Sequence, residues 1–200
     1  MSSNDIRGAT AIVGVADDAS PTGMLELSGR ALEAAMIEQA LADAGLTIAD
    51  VDGVCHAGSS MGLAEYLGVH PRFTESTMTG GSSFEVHVEH AAAAIAAGLA
   101  EVVISVYAST PRGDRARAGS AGPGRRPGPP GGGPNPGLEW EMPAGIRLPM
   151  GAYALAATRH MAMYGTTPEQ LAQIAVSTRQ WATMNPKARH QDPIEVQDVL

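Results

Sequence analysis

The residues with the clearest chemical potential lie in the segment Thr79-Gly80-Gly81-Ser82-Ser83, directly before an alanine-rich helix. A glycine-rich turn leaves backbone N–H groups free at the positive end of a helix dipole, a place that favours an anion or a developing oxyanion. Ser82 and Ser83 are the candidate catalytic side chains, although a serine hydroxyl needs an adjacent base before it can attack. The alternative is a tightly packed core helix that Ser82 or Ser83 caps.

Histidines provide a second set of candidates. His87 and His90 are three residues apart and therefore share a helix face, where they can bind a metal ion or shuttle protons. No third ligand lies near them in the sequence, so packing or capping roles are favoured and no metal site is predicted. His56 and His160 carry weaker signals. Cys55, the only cysteine, is interpreted as a core residue.

Composition narrows the classes of function. The net charge of −8 disfavours nucleic acid and anionic membrane surfaces as partners. A single cysteine excludes an internal disulfide and is typical of a reducing compartment. No apolar run reaches the ~20 residues that cross a bilayer, and the start of the chain lacks the pattern of a signal peptide. We therefore expect a cytoplasmic protein without a membrane span.

The elements that must position these residues alternate between strands and helices. Strands are predicted at 9–15, 50–55, 74–78 and 101–107, and helices at 25–44, 60–67 and around 91–97. Such alternation indicates an α/β fold with a mainly parallel sheet. The run 9–15 is apolar enough to be a strand buried on both faces. Residues 91–97 have no polar face, so their helix is expected to be covered on both sides.

The alternation ends near residue 110. We divide the chain into an α/β core (1–110), a loop rich in glycine, proline and arginine (111–147) and a helical segment (148–200). The composition of the loop excludes regular structure. Its arginines, Arg112 and Arg115 among them, belong either to a solvated insertion or to a flap that contacts the phosphates of a nucleotide-bearing substrate.

Two helices are predicted after the loop, at 148–164 and from residue 168. Met150 and Tyr153 border the return from the loop, where they either line a substrate pocket or take part in ordinary packing. Thr167, Pro168 and Gln170 have the types and spacing of a helix N-terminus with a capping box.

These segments carry a family resemblance. The stretch AAGLAEVVIS after the Gly/Ser turn, and above all GAYALAATRHMAMYGTTPEQLAQIAVSTRQWATMNPKA, resemble the N-terminal half of a thiolase of the sterol-carrier-protein, or nonspecific lipid-transfer-protein, type (acetyl-CoA acetyltransferase-like). The resemblance implies a βαβαβαβ half of a five-layer α-β-α-β-α fold with a long loop-domain insertion. It also implies a homodimer, a coenzyme A thioester as substrate, no bound cofactor, and a second half that these 200 residues do not contain.

The chain departs from the family at the reacting residue. The nucleophilic cysteine of a thiolase aligns with Gly81, which offers no nucleophile, and Gly81 then becomes a candidate for substrate binding only. The resemblance leaves two enzymes open, a thiolase-like acyltransferase and a Cys-less aldolase of lipid or steroid side-chain metabolism that works with a small OB-fold and zinc-ribbon partner. The alternative is a non-catalytic subunit that binds acyl-CoA or lipid, or serves assembly. Residues 1–200 alone are expected to be inactive and poorly folded.

Overall fold

The computed structural model describes residues 6, 8–118, 143–146 and 149–200. The chain divides into two compact units, Met1–Arg117 and Ala118–Leu200. In the described residues, no helix is long and apolar enough to cross a membrane.

The first unit is built on a small parallel sheet. Its strands are β1 (Gly53–Cys55), β2 (Phe73–Glu75) and β3 (Val103–Ser105), in the spatial order β2-β1-β3. The register places Cys55 opposite Glu75 on one side and opposite Ser105 on the other. The carboxyl ends of all three strands therefore meet at one edge of the sheet, where ligands bind in open α/β folds.

Among the described residues, four α-helices begin in this unit: α1 (Gly29–Asp43), α2 (Ser60–Leu67), α3 (Ser83–Ala96) and α4 (Pro111–Ala118). The core forms where the apolar stripe of α1 meets α2 and the central strand, through Leu32, Ile37, Val54 and Leu63, each 5% exposed or less. Gly68 ends α2 in the left-handed conformation, with φ +69°, a C-cap that glycine adopts without steric cost. The α/β prediction is confirmed.

The prediction of a strand at residues 9–15 is wrong. They form no strand: Ile12, Val13 and Val15 are 72%, 62% and 70% exposed. A strand needs a hydrogen-bonded neighbour, and across the described residues no backbone group of 10–14 pairs with another backbone group. Among the hydrogen bonds of the described residues, one joins this stretch to a helix: the N–H of Val15 donates to Asp43 Oδ2 at 3.0 Å. The other three predicted strands exist with three residues each: two lie within their predicted ranges, whereas Phe73–Glu75 overlaps the predicted 74–78 at two residues only.

The alanine-rich helix is present as α3, but it is not covered on both sides by the described residues. Ala94 is buried, whereas Val88 and Leu99, just past its C-terminus, are about half exposed. Because α3 has no polar face, a second layer is expected to cover its exposed side. The described residues do not provide that layer. The five-layer architecture stays a prediction.

The start of the predicted loop also differs from the sequence interpretation, because residues 111–118 are helical. Pro111 occupies the first turn, where its missing N–H is not needed. The N–H of Asp114 donates to Thr110 O at 2.8 Å, which closes that turn. Residues 119–142 lie outside the described residues.

The second unit contains α5 (Met150–Tyr164) and α6 (Pro168–Met184). The predicted capping box is confirmed: the N–H of Gln170 donates to Thr167 Oγ1, and the N–H of Thr167 donates to Gln170 Oε1 at 2.9 Å. Gly165 ends α5 with φ +69°.

Candidate functional site

The turn before α3 is held by one serine and leaves open space beside one glycine. Ser83 is fully buried; its Oγ accepts a hydrogen bond from Thr79 N at 3.0 Å and donates to Gly80 O at 2.7 Å. Its hydroxyl is therefore committed to the turn. Nothing lies within 4 Å of the position that a side chain on Gly81 would take.

Ser82 is exposed, and its hydroxyl donates to Thr79 O at 3.3 Å. Among the hydrogen bonds of the described residues, none joins Ser82 or Ser83 to a histidine or a carboxylate. Neither serine thus has a base in place to activate it. Their catalytic role remains a prediction, as does substrate binding at Gly81.

The polar groups that do come together lie just behind this turn, at the carboxyl edge of the sheet. Glu75, the last residue of β2, faces His87 and His90 of α3. Its Oε2 lies 3.4 Å from His87 Nε2 and 3.3 Å from His90 Nδ1. Within the described part of the chain Oε2 is buried and has no hydrogen bond of good geometry, so the two contacts are electrostatic. We call these three residues the Glu75 cluster.

The Glu75 carboxylate is kept in its ionised form. Burial acts to raise its pKa, but the hydrogen bonds from Thr77 and the electrostatic contacts with His90 and His87 outweigh burial and lower the pKa below its ordinary value. The N–H of Thr77 donates to Glu75 Oε1 at 2.6 Å. An anionic carboxylate beside two imidazoles is an arrangement suited to holding and moving a proton.

The two histidines differ in what they can do. His87 is fully buried; its Nε2 lies 3.0 Å from Thr77 O, an acceptor, so Nε2 carries the proton, and its Nδ1 lies 3.2 Å from Ser105 Oγ. Both ring nitrogens are occupied. His90 is 41% exposed, and because its Nδ1 faces Glu75, its Nε2 is the nitrogen left for a substrate or solvent.

A second charged cluster lies beside the first helix. Glu33 of α1 binds His56 Nε2 through Oε1 at 3.1 Å and Arg30 Nη1 through Oε2 at 2.7 Å. The N–H of Gly58 donates to His56 Nδ1 at 2.9 Å, so the proton of this imidazole sits on Nε2 and points at Glu33. Arg30, Glu33 and His56 each have a hydrogen-bond partner in this cluster, an arrangement typical of a structural role at the end of β1.

The only thiol of the chain is unsuited to nucleophilic chemistry. Cys55 is fully buried at the end of β1. Burial, together with the charge of Glu75, raises the pKa of the Cys55 thiol to about 12. Because the thiolate is the nucleophile, this residue is inert at neutral pH. The interpretation of Cys55 as a core residue is consistent with its burial.

With this geometry in place, the chain can be compared with known proteins. No protein-family profile matches it. It is 34% identical over 96% of its length to a steroid side-chain-cleaving aldolase of Thermomonospora curvata, and 30% identical over 96% to a 17-hydroxy-3-oxo-4-pregnene-20-carboxyl-CoA lyase of Mycobacterium tuberculosis. A solved Ltp2-ChsH2(DUF35) aldolase superimposes with a TM-score of 0.77 at 32% identity over 94% of this chain.

The chain is similar to steroid-cleaving aldolases. It spans about half the length of these relatives, 50% of the two curated proteins and 47% of the solved chain. A shorter match, 42% identical over 62 residues, joins it to an acetyl-CoA acetyltransferase of Methanothermobacter thermautotrophicus. The thiolase resemblance has this partial support, whereas the matches along nearly the whole chain are to lyases.

The remaining predicted site residues are dispersed. Arg112 and Arg115 are exposed on α4. Met150 and Tyr153 lie in the second unit, 73% and 71% exposed, and Met150 lines a cavity of about 520 Å³ beside Ile146. Their roles in substrate binding remain predictions. No group of three His, Cys, Asp or Glu side chains suited to a metal ion occurs among the described residues.

Sequence reasoning missed the acidic members of both clusters. Glu75 ends a short strand and Glu33 lies on an otherwise apolar helix face, and no spacing rule connects either residue with a histidine elsewhere in the chain. Nothing in the sequence signalled Glu75, which is the second residue of the predicted strand 74–78 but the last residue of β2 in the structure.

Proposed function

We infer that this chain is part of an acyl-CoA aldolase that cleaves a carbon–carbon bond in a steroid side chain. The observation that carries the inference is the placement of the thiol: the chain has glycine at position 81, where a thiolase attacks, and its one cysteine is buried with a pKa of about 12. Acyl transfer through a cysteine is thus unsupported, and the similarity to an aldolase and a CoA lyase along 96% of the chain supports cleavage without an acyl-enzyme.

The reaction is a retro-aldol step on a thioester whose β-carbon bears a hydroxyl group. A base removes the hydroxyl proton, the oxygen forms a carbonyl with the β-carbon, and the bond between the α- and β-carbons breaks. Its electron pair moves onto the thioester as an enolate, which a proton at the α-carbon then quenches. No oxidant, reductant or bound cofactor is needed; the coenzyme A thioester is the substrate.

This chain offers two groups for that chemistry. The Glu75–His90 pair is proposed to carry the proton, since the carboxylate orients the imidazole and leaves Nε2 exposed. The backbone N–H groups at Gly81 and Ser82 are proposed to face the enolate oxygen, a role supported by the open space beside Gly81. The proposal keeps the five-layer homodimer and the small partner protein with an OB fold and a zinc ribbon that the family resemblance implies; the solved Ltp2-ChsH2(DUF35) aldolase supports only that there is a partner protein.

The test is to assay the intact protein, with and without a partner encoded beside it, against a β-hydroxyacyl steroid thioester and against a 3-ketoacyl-CoA with free coenzyme A. We expect release of the ketone and of the shortened acyl-CoA in the first assay and no thiolysis in the second. Glu75→Gln is expected to lower kcat at least about 100-fold, the usual contribution of a positioned proton donor or acceptor. The exposed His70 provides the control variant, His70→Gln, which should leave turnover unchanged.

One observation favours the alternative, a non-catalytic subunit that binds acyl-CoA or lipid: among the described residues no base contacts either serine of the turn. Tight binding of acyl-CoA without turnover in either assay, with and without the partner, would support that alternative. Thiolysis without aldol cleavage would instead support an acyltransferase.

A further inference from the structure

A chain of four contacts links the end of β3 to the exposed imidazole of His90. Ser105 Oγ, on the last residue of β3, lies 3.2 Å from His87 Nδ1. His87 Nε2 donates to Thr77 O at 3.0 Å, and the N–H of Thr77 donates to Glu75 Oε1 at 2.6 Å. The other carboxylate oxygen, Oε2, lies 3.3 Å from His90 Nδ1. Each contact fixes the group that makes the next one.

His87 is placed to hold its neighbours rather than to meet a substrate. Its side chain is fully buried, and both ring nitrogens have partners. The ring of Phe84 packs edge to face against it, with ring centroids 5.9 Å apart. A group without a free nitrogen or access to solvent cannot exchange a proton with a bound molecule. Any effect of His87 on chemistry therefore passes through the residues that it holds, Thr77 and Glu75.

Glu75 needs such support because its carboxylate can turn. The last torsion of a glutamate side chain has a broad distribution and does not by itself fix where the two oxygens point. The N–H of Thr77 holds Oε1, which leaves Oε2 between the two imidazoles. His87 acts on this arrangement twice, because it fixes the carbonyl of Thr77 and lies 3.4 Å from Oε2 itself. Loss of His87 would free both the carboxylate and the residue that holds it.

The orientation of Glu75 decides which nitrogen of His90 is available. Because Oε2 belongs to an ionised carboxylate, Nδ1 of His90 faces it with a proton rather than with a lone pair. In the neutral ring the second nitrogen, Nε2, then has a free lone pair, which is what accepts a proton from a hydroxyl group. If the carboxylate turned away, His90 could carry its proton on Nε2 and would lose that ability.

We propose that His87 is the positioning residue of this site: it holds Glu75 so that neutral His90 keeps its proton on Nδ1. Nε2 is then free to take the hydroxyl proton of the substrate. The electron pair of the O–H bond stays on the substrate oxygen, and Glu75 balances the charge of the imidazolium that forms. The use of this lone pair in catalysis rests on the proposed function, whereas the tautomer of His90 does not.

Nitrogen-15 NMR of the intact protein, labelled at histidine and without ligand, reports which ring nitrogen carries the proton. The signals of His90 are assigned from the spectrum of His90→Gln, at about pH 8.5, where an ordinary imidazole is neutral. Wild-type His90 should be in the Nδ1–H form. His87→Asn is too short to reach Thr77 O and should leave His90 in both forms. His87→Gln places an amide donor near the position of Nε2 and should restore the Nδ1–H form.

Turnover provides the second readout. His87→Asn should lower kcat about 10- to 100-fold through misplacement of the base, while KM changes less than about twofold because His87 does not contact the substrate. Ser105→Ala loosens His87 from the far end of the chain of contacts and should lower kcat about 3- to 10-fold, the effect of one hydrogen bond. His56→Gln is the matched control: it removes another imidazole paired with a carboxylate, Glu33, and should change neither kcat nor the tautomer of His90.

Three results would overturn the proposal. Wild-type His90 could carry its proton on Nε2. His87→Asn could keep the wild-type tautomer and kcat; if that variant does not fold, an unchanged tautomer in Ser105→Ala decides in the same way. His56→Gln could change the tautomer as much as His87→Asn does, which would make the effect unspecific.

The two readouts separate this proposal from the proposed function. An inactive protein in which His87→Asn still shifts the tautomer of His90 would count against the aldolase and leave the positioning role of His87 intact. Full turnover in His87→Asn would count against the positioning role and leave the aldolase intact.

Discussion

The sharpest consequence of the Glu75 cluster is that its two histidines contribute unequally to stability. Replacing His87 with alanine removes the hydrogen bonds to Thr77 O and Ser105 Oγ, at 3.0 and 3.2 Å, from a fully buried side chain. Two such bonds contribute about 1–3 kcal/mol in total. The void left by the imidazole adds about 1–2 kcal/mol. We expect His87→Ala to lower the free energy of unfolding by about 2–5 kcal/mol.

His90→Ala is the matched variant, because His90 contacts the same Glu75 oxygen from the same helix but is 41% exposed. An exposed ion pair contributes about 0–1 kcal/mol. Urea denaturation of the intact protein at pH 7, followed by circular dichroism, measures both values. If the two variants lose unfolding free energy to within about 0.5 kcal/mol of each other, the reasoning is refuted. Burial and the two hydrogen bonds of His87 would then contribute nothing measurable to stability.

Three further predictions follow from the same residues. The folded state lowers the pKa of Glu75, so stability should be highest above the ordinary value of 4.5 and fall as pH drops below it; Glu75→Gln should flatten that dependence in urea titrations. With a pKa of about 12 against an ordinary 9.0, Cys55 should react with iodoacetamide at pH 8 roughly 1000-fold more slowly than a free thiol; mass spectrometry that shows rapid labelling of native protein would contradict this. Gly53→Ala would bring a methyl to 2.6 Å from Val103 and should lower the melting temperature, whereas Gly81→Ala meets open space and should not; equal melting temperatures would count against the packing described here.

Features fixed by a few neighbouring residues were predictable from the sequence. The Thr167–Gln170 capping box and the Gly165 helix end depend on contacts within one turn, and both appear at the expected residues. The shared face of His87 and His90 follows equally from helix geometry, and both contact the same Glu75 carboxylate.

Features that depend on distant partners were not predictable. Residues 9–15 have the composition of a strand, but a strand exists only where a second strand supplies hydrogen bonds. Glu75 meets His87 because β2 and α3 pack side by side, a relation that spacing in the chain does not encode. The helix at 111–118 was missed because the Gly/Pro content of the longer segment outweighed a local Pro111 start.

The order β2-β1-β3 has a consequence for how the protein is made. The central strand is the first of the three in sequence, so during synthesis β2 and then β3 add to its two sides, and all three described strands are present once residue 105 has emerged. At roughly 5–20 residues per second, ribosomes need on the order of 5–20 s to make residues 106–200. During that time β3 is an edge strand of the described sheet, and an open strand edge is a template for mispairing with a neighbouring nascent chain.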